Sequence, residues 1–103
     1  MTHIKWYTGR TMCGMTVEGH AGFNPGNDIV CSAVSALVQT LHAGLEMRCH
    51  AKLQHKQCDG YFRIDVLIEE KNRDRIITLF DSIVFGLDLI SKNYPDHVKI
   101  ERI

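Results

Sequence analysis

The chain carries no charge of either sign to spare. Twelve Lys and Arg stand against twelve Asp and Glu in 103 residues, and the formal net charge is zero. Strong nucleic-acid binding needs a basic surface that displaces counterions, so the composition argues against it. The same neutrality leaves little repulsion against self-association. Every unbroken apolar run stops well short of the roughly twenty residues of a membrane span. The opening stretch Met1–Arg10 has no apolar segment of the secretory kind. We therefore expect no membrane partner and a cytoplasmic setting. There, Cys13, Cys31, Cys49 and Cys58 are expected to stay reduced. Prolines number only two, and no repeat, linker or low-complexity stretch divides the chain. Residues 1–103 read as a single domain, near the small end of what sustains a core.

What is present is alternation and helical periodicity. Thr2 to Thr8 alternates, Ile4 and Trp6 opposing His3, Lys5 and Tyr7, as a half-buried strand does. Gly9-Arg10-Thr11 makes a turn. Met12 to His20 is a second strand, with Cys13, Met15 and Val17 on one face and Thr16, Glu18 and His20 on the other. A helix is expected from about Ile29 to Glu46, apolar over most of its circumference and so enclosed in the domain or against a second subunit. Met47 to Gln54 alternates again, Cys58-Asp59-Gly60 turns, and Tyr61 to Glu69 returns as a strand. A charged connection, Glu70 to Asp74, leads to a helix from about Arg75 to Asn93, with Ile76, Phe80, Ile83, Leu87 and Ile90 facing the core. Asn72 or Asp74 is its cap, and Tyr94-Pro95-Asp96 stops it. Val98 to Ile103 is a last strand. The fold class is α+β: a mixed, largely antiparallel sheet with two helices, in the order strand-strand-helix-strand-strand-helix-strand.

The chemistry gathers between the second strand and the first helix. Asp28 is placed to cap that helix by accepting first-turn N–H bonds, which makes Ile29 the first helical residue and Cys31 the third. Free N–H groups and the helix dipole favour negative charge on a thiol there, and the thiolate is the nucleophilic form. His20 stands across a short Gly- and Pro-containing loop, Ala21 to Asn27, of the mobile kind that gates sites. A Cys–His pair suits nucleophilic catalysis. The alternatives are a buried structural cysteine and a surface histidine. Asp28 serves as cap, as a third group orienting His20, or as both. Ser35, one turn after Cys31, is either bonded within its own turn or turned toward the sulfur or a substrate. An oxyanion hole needs backbone donors, and a Cys31 N–H held by Asp28 is not one, so loop amides such as Gly26 or Asn27 must contribute.

The run Gly19-His20-Ala21, a short loop, then Gly26-Asn27-Asp28-Ile29-Val30-Cys31-Ser32-Ala33-Val34-Ser35-Ala36-Leu37 resembles the signature of the ribosomal-processing cysteine protease (Prp) family. Ser32 stands where the family more often has Ala. The resemblance implies an intracellular homodimeric protease of Firmicutes-type bacteria. Its substrate would be the N-terminal extension of large-subunit ribosomal protein twenty-seven, cut after an aromatic residue. Matched position by position, His20 and Cys31 are the catalytic pair and Asp28 and Ser35 supporting residues. Gly19, Ala21, Gly22, Phe23 and Gly26 belong to the substrate loop.

Two other readings stay open from the residues alone. One is a ribosome-associated binding module that needs no Cys31; the other is a Cys-dependent acyl transferase using the same pair. Phe23, Trp6 and Tyr61 are candidate walls for an apolar pocket that takes the residue before the cut. Cys49, His50, His55 and Cys58 include zinc-ligand types, but their spacing fits no common zinc motif. No metal and no cofactor is expected.

Overall fold

The computed structural model describes all of residues 1–103. Its strands are β1 (Thr2–Thr8), β2 (Met12–Glu18), β3 (Lys52–Cys58), β4 (Tyr61–Leu67) and β5 (Val98–Arg102), and its helices α1 (Ile29–Met47) and α2 (Arg73–Asn93). They form one sheet in the order β3-β4-β2-β1-β5. Only the β1–β5 pair is parallel. The architecture is the expected α+β class with a mixed, largely antiparallel sheet.

Alternation places one face of the sheet in the core. Ile4, Cys13, Met15, Val17, Phe62, Ile64 and Val66 are buried, and both helices cover them, α1 through Val30, Val34, Val38, Leu41 and Leu45, α2 through Ile76, Phe80, Ile83 and Leu87. At roughly 25 cal/mol per Å² of apolar surface, this layer is the principal stabilising term. The opposite face is polar and closes on itself. Gly14, on the central strand β2, admits the Tyr7 ring, and the phenol donates to Asp65 at 2.7 Å across the sheet. A Cβ at Gly14 would lie 2.6 Å from Tyr7 Cε1 and 2.7 Å from the Ile64 carbonyl.

Three expectations are corrected. The strand expected at Met47 to Gln54 begins only at Lys52 and continues to Cys58. Alternation before Lys52 is accidental: α1 runs through Met47, the Arg48 and Cys49 N–H groups still reach the Gly44 carbonyl, and His50 turns in the left-handed region at φ 51°. The connection at Glu70–Asn72 is a 3-10 turn, and α2 starts two residues earlier than expected. Within the single chain α1 buries one stripe, while Ser32, Ser35, Ala36, Gln39 and Thr40 face outward. Finally, α1 is long and apolar enough, by length and composition, to cross a membrane. Unbroken runs understated it because Ser, Gln, Thr, His and Gly interrupt it without charge. Here its apolar stripe packs on the sheet as a core helix.

Candidate active site

Sheet order assembles the site. β2 pairs with β4, and Glu18 lies opposite Tyr61, so the chain leaving β2 runs beside the turn that joins β3 to β4. The Gly19 N–H donates to the Gly60 carbonyl at 2.8 Å. Both residues have left-handed φ, +87° and +72°, which costs glycine little and other residues more. His20 therefore rests over the turn: a Cβ at Gly60 would lie 3.3 Å from its Nε2. The carboxylate within ion-pair reach of that nitrogen is Asp59, at 3.8 Å. Both side chains are largely exposed, 67% and 99%, so solvent screens the pair.

The other wall is the start of α1. Asp28 Oδ1 accepts the N–H groups of Val30 and Cys31 at 2.9 Å each, and its Oδ2 accepts those of Phe23 and Asn24 at 2.9 and 3.2 Å. The Cys31 N–H bond, with those from Asn24, Phe23 and Val30, outweighs desolvation and holds this carboxyl below the usual carboxylate range. Of the two roles open for Asp28, the geometry displays the cap, extended to pin the loop. His20 receives no bond from it.

Cys31 is half-buried, and its Sγ accepts the Ala21 N–H at 3.2 Å. His20 and Cys31 face a common groove of about 250 Å³, with Val34, Ser35 and Val38 on the helix side and Tyr61 on the sheet side. The imidazole and the sulfur share the groove without a hydrogen bond between them. Ser35 is exposed and makes no back-bond, unlike Ser32, whose Oγ donates to the Asp28 carbonyl. The expectation of a Ser35 hydroxyl held within its own turn is thus not met. The Cys31 N–H is committed to Asp28, whereas the Gly22 N–H has no partner in the protein.

The remaining loop residues separate. Ala21 is buried, Gly22 and Gly26 are exposed, and Phe23 packs edge-on against Tyr94 and His97, with ring centroids 5.3 Å apart in both cases. Of the three proposed pocket walls, only Tyr61 reaches the groove. Trp6 packs on Phe80 in the core. Cys49, His50, His55 and Cys58 do not converge, and no cluster of three or more His, Cys, Asp or Glu side chains is arranged to hold a metal.

Two residues of the site escaped sequence reasoning. Asp59 was visible as a turn residue, but its place beside His20 depends on β4 pairing with β2. His97 reaches the loop from 76 positions away, through a bond to the Ala21 carbonyl, and no local pattern marks it.

Against known proteins, the chain matches at residues 1–99 a family model described as "Cysteine protease Prp". Curated proteins yield no match. Three crystal structures share the fold across the whole chain. SMU.848 from Streptococcus mutans is 26% identical with a TM-score of 0.78, and 94% of its length is covered. The essential ribosomal processing protease Prp from S. aureus, with a covalently linked product peptide, is 20% identical with a TM-score of 0.83 and full coverage of both chains. The same protease with a substrate peptide is 18% identical at a TM-score of 0.82, again over both full chains.

Proposed function

This chain belongs to the cysteine protease Prp family and is a cysteine peptidase, and from that premise we propose that it trims the N-terminal extension of a ribosomal protein. The proposed substrate is large-subunit ribosomal protein twenty-seven, and the setting is a cytoplasmic homodimer, a state that analytical ultracentrifugation checks. The observation that carries the reading is the shared groove: His20 on one wall, Cys31 at a helix start on the other, and an open course between them. The S. aureus structures, which hold a substrate peptide or a covalently linked product peptide, support a peptide as the ligand.

In this mechanism His20 takes the Cys31 thiol proton and the sulfur attacks the scissile carbonyl. The tetrahedral oxyanion collapses as the C–N bond breaks, and His20 returns the proton to the leaving amine. Water, deprotonated by His20, then cleaves the thioester and restores the thiol. The N–H of Ala21 at the sulfur favours the thiolate, and the unpartnered N–H of Gly22 is the loop donor open to the oxyanion. For the imidazole to reach the sulfur, the His20 side chain swings off Gly60, and catalytic hydrogen bonds that are long without substrate commonly tighten when it binds.

Intact-mass spectrometry of the cognate ribosomal protein tests the proposal, using wild type, Cys31→Ala and His20→Ala under reducing conditions. Loss of the extension with wild type alone supports it. No cleavage by a wild type whose Cys31 alkylates quickly would discard this substrate. No cleavage with an inert Cys31 would favour a binding module instead.

A further inference from the structure

The substrate loop is anchored on its far side by the connection between α2 and β5. Both backbone groups of the buried Ala21 are engaged: its N–H donates to Cys31 Sγ in α1 at 3.2 Å, and its carbonyl is 3.0 Å from His97 Nδ1 in that connection. A carbonyl only accepts, so Nδ1 carries a proton. His97 is itself well fixed. Its N–H donates to the Tyr94 carbonyl at 2.9 Å, its own carbonyl accepts the Thr2 N–H at 2.9 Å, and its ring meets Phe23 edge-on. The planar peptide that carries the Ala21 N–H also carries the His20 carbonyl. The carbonyl that His97 holds belongs to the next peptide, Ala21–Gly22. Bonds on both sides of the Ala21 Cα thus limit rotation about its two backbone bonds and set both the donor at the sulfur and the backbone from which His20 projects.

We propose that His97 is a positioning residue for the nucleophile: by donating Nδ1–H to the Ala21 carbonyl, it keeps the Ala21 N–H aimed at the Cys31 sulfur. The inference rests on Cys31 being the nucleophile. A donor aimed at a thiolate favours the charged, reactive form, and bonds to charged groups are the stronger class. Removing His97 lets the Ala21 N–H drift, and the thiolate loses that donor.

The test compares His97→Phe, which keeps a ring against Phe23 but has no donor, with His97→Asn, whose amide nitrogen takes the place of Nδ1. Each full-length variant is treated with iodoacetamide, and alkylation is read by mass spectrometry at every cysteine. Exposed Cys58 is the internal reference; buried Cys13 and Cys49 report on the fold. At pH 7 the Cys31-to-Cys58 rate ratio falls roughly three- to tenfold in His97→Phe and recovers to within about twofold of wild type in His97→Asn. The acid limb of the Cys31 pH–rate profile moves to higher pH in His97→Phe only. An unchanged or faster Cys31 in His97→Phe overturns the proposal, as does an equal loss in both variants, which would make ring packing the cause. If Cys13 or Cys49 reacts in His97→Phe, His97→Leu replaces it in the same comparison. Alkylation needs no peptide, so a wild type that fails to cleave the ribosomal extension counts against the substrate and leaves this result readable.

Discussion

Cys13 and Cys31 are one residue type in two settings. Cys13 sits near the start of β2, fully buried on the core face, and burial first, then Asp81 and Asp65, pushes its thiol up to about 12. Cys31 sits where a loop enters a helix, half-buried, with a backbone N–H on its sulfur and a histidine across the groove. On the core face of a strand the Cys13 side chain meets only packing, whereas at the helix entry a loop N–H, that of Ala21, reaches the Cys31 sulfur. The proposed mechanism makes that difference, and not the number of cysteines, the source of reactivity.

The widest separation comes from deleting each thiol. Cys31→Ala abolishes peptide cleavage, a loss of about a thousandfold or more by analogy with other nucleophile deletions. Cys13→Ala keeps cleavage and costs about 1–2 kcal/mol of stability in denaturant unfolding, the range for a small buried truncation. His20→Ala comes next, lowering kcat by about 10²–10⁴. Asp59→Asn changes kcat by less than about threefold, because its pairing with His20 is exposed and screened.

Two glycines sharpen the contrast from the backbone side. Gly60→Ala places a methyl 3.3 Å from His20 Nε2 at a left-handed φ, so cleavage falls several-fold with a stability cost of about 1–2 kcal/mol. Gly14→Ala drives a methyl into the Tyr7 ring and the Ile64 carbonyl. It costs about 1–3 kcal/mol and leaves kcat of the folded fraction unchanged.

The pH dependence separates the two regions again. Cys13 goes from its ordinary 9.0 to about 12, and Tyr7 from 10.0 to about 12 by burial and its bond to Asp65. The folded state retains these protons, so their contribution is complete below pH 9 and is lost as pH rises toward 12. Cys13→Ala therefore weakens the alkaline destabilisation in urea titrations without abolishing it, because burial raises the Cys49 thiol from the same 9.0 and Tyr7 still titrates above 10.0. Asp28 and Asp65 have depressed values, Asp28 chiefly through the Cys31 N–H and Asp65 chiefly through Arg63. Their contribution is present above pH 3.8 and fades as pH falls through the folded values. The smallest expected effect is Ser35→Ala, under about twofold on kcat, since its hydroxyl has no protein partner.

Much of this was legible in the sequence. Period-two runs marked β1, β2 and β4 because one face of each is core, and Asp28 was recognisable as a cap because few residues accept helix N–H groups so well. The motif around Cys31 carried the family. β3 was misplaced because its inward positions, Leu53, His55 and Gln57, are mostly polar at a sheet edge, leaving little pattern to read. Asp59 and His97 reach the site only through strand order and a long-range contact, and no local pattern ties either of them to His20 or Cys31.

The most direct test of Cys31 as nucleophile is to quench a reaction of the wild-type protein with its peptide substrate in acid and locate the acyl group by tandem mass spectrometry. The account predicts the N-terminal fragment as a thioester on Cys31, with none on Cys13, Cys49 or Cys58. Cleavage that persists in Cys31→Ala, or an acyl group on another cysteine, would contradict it.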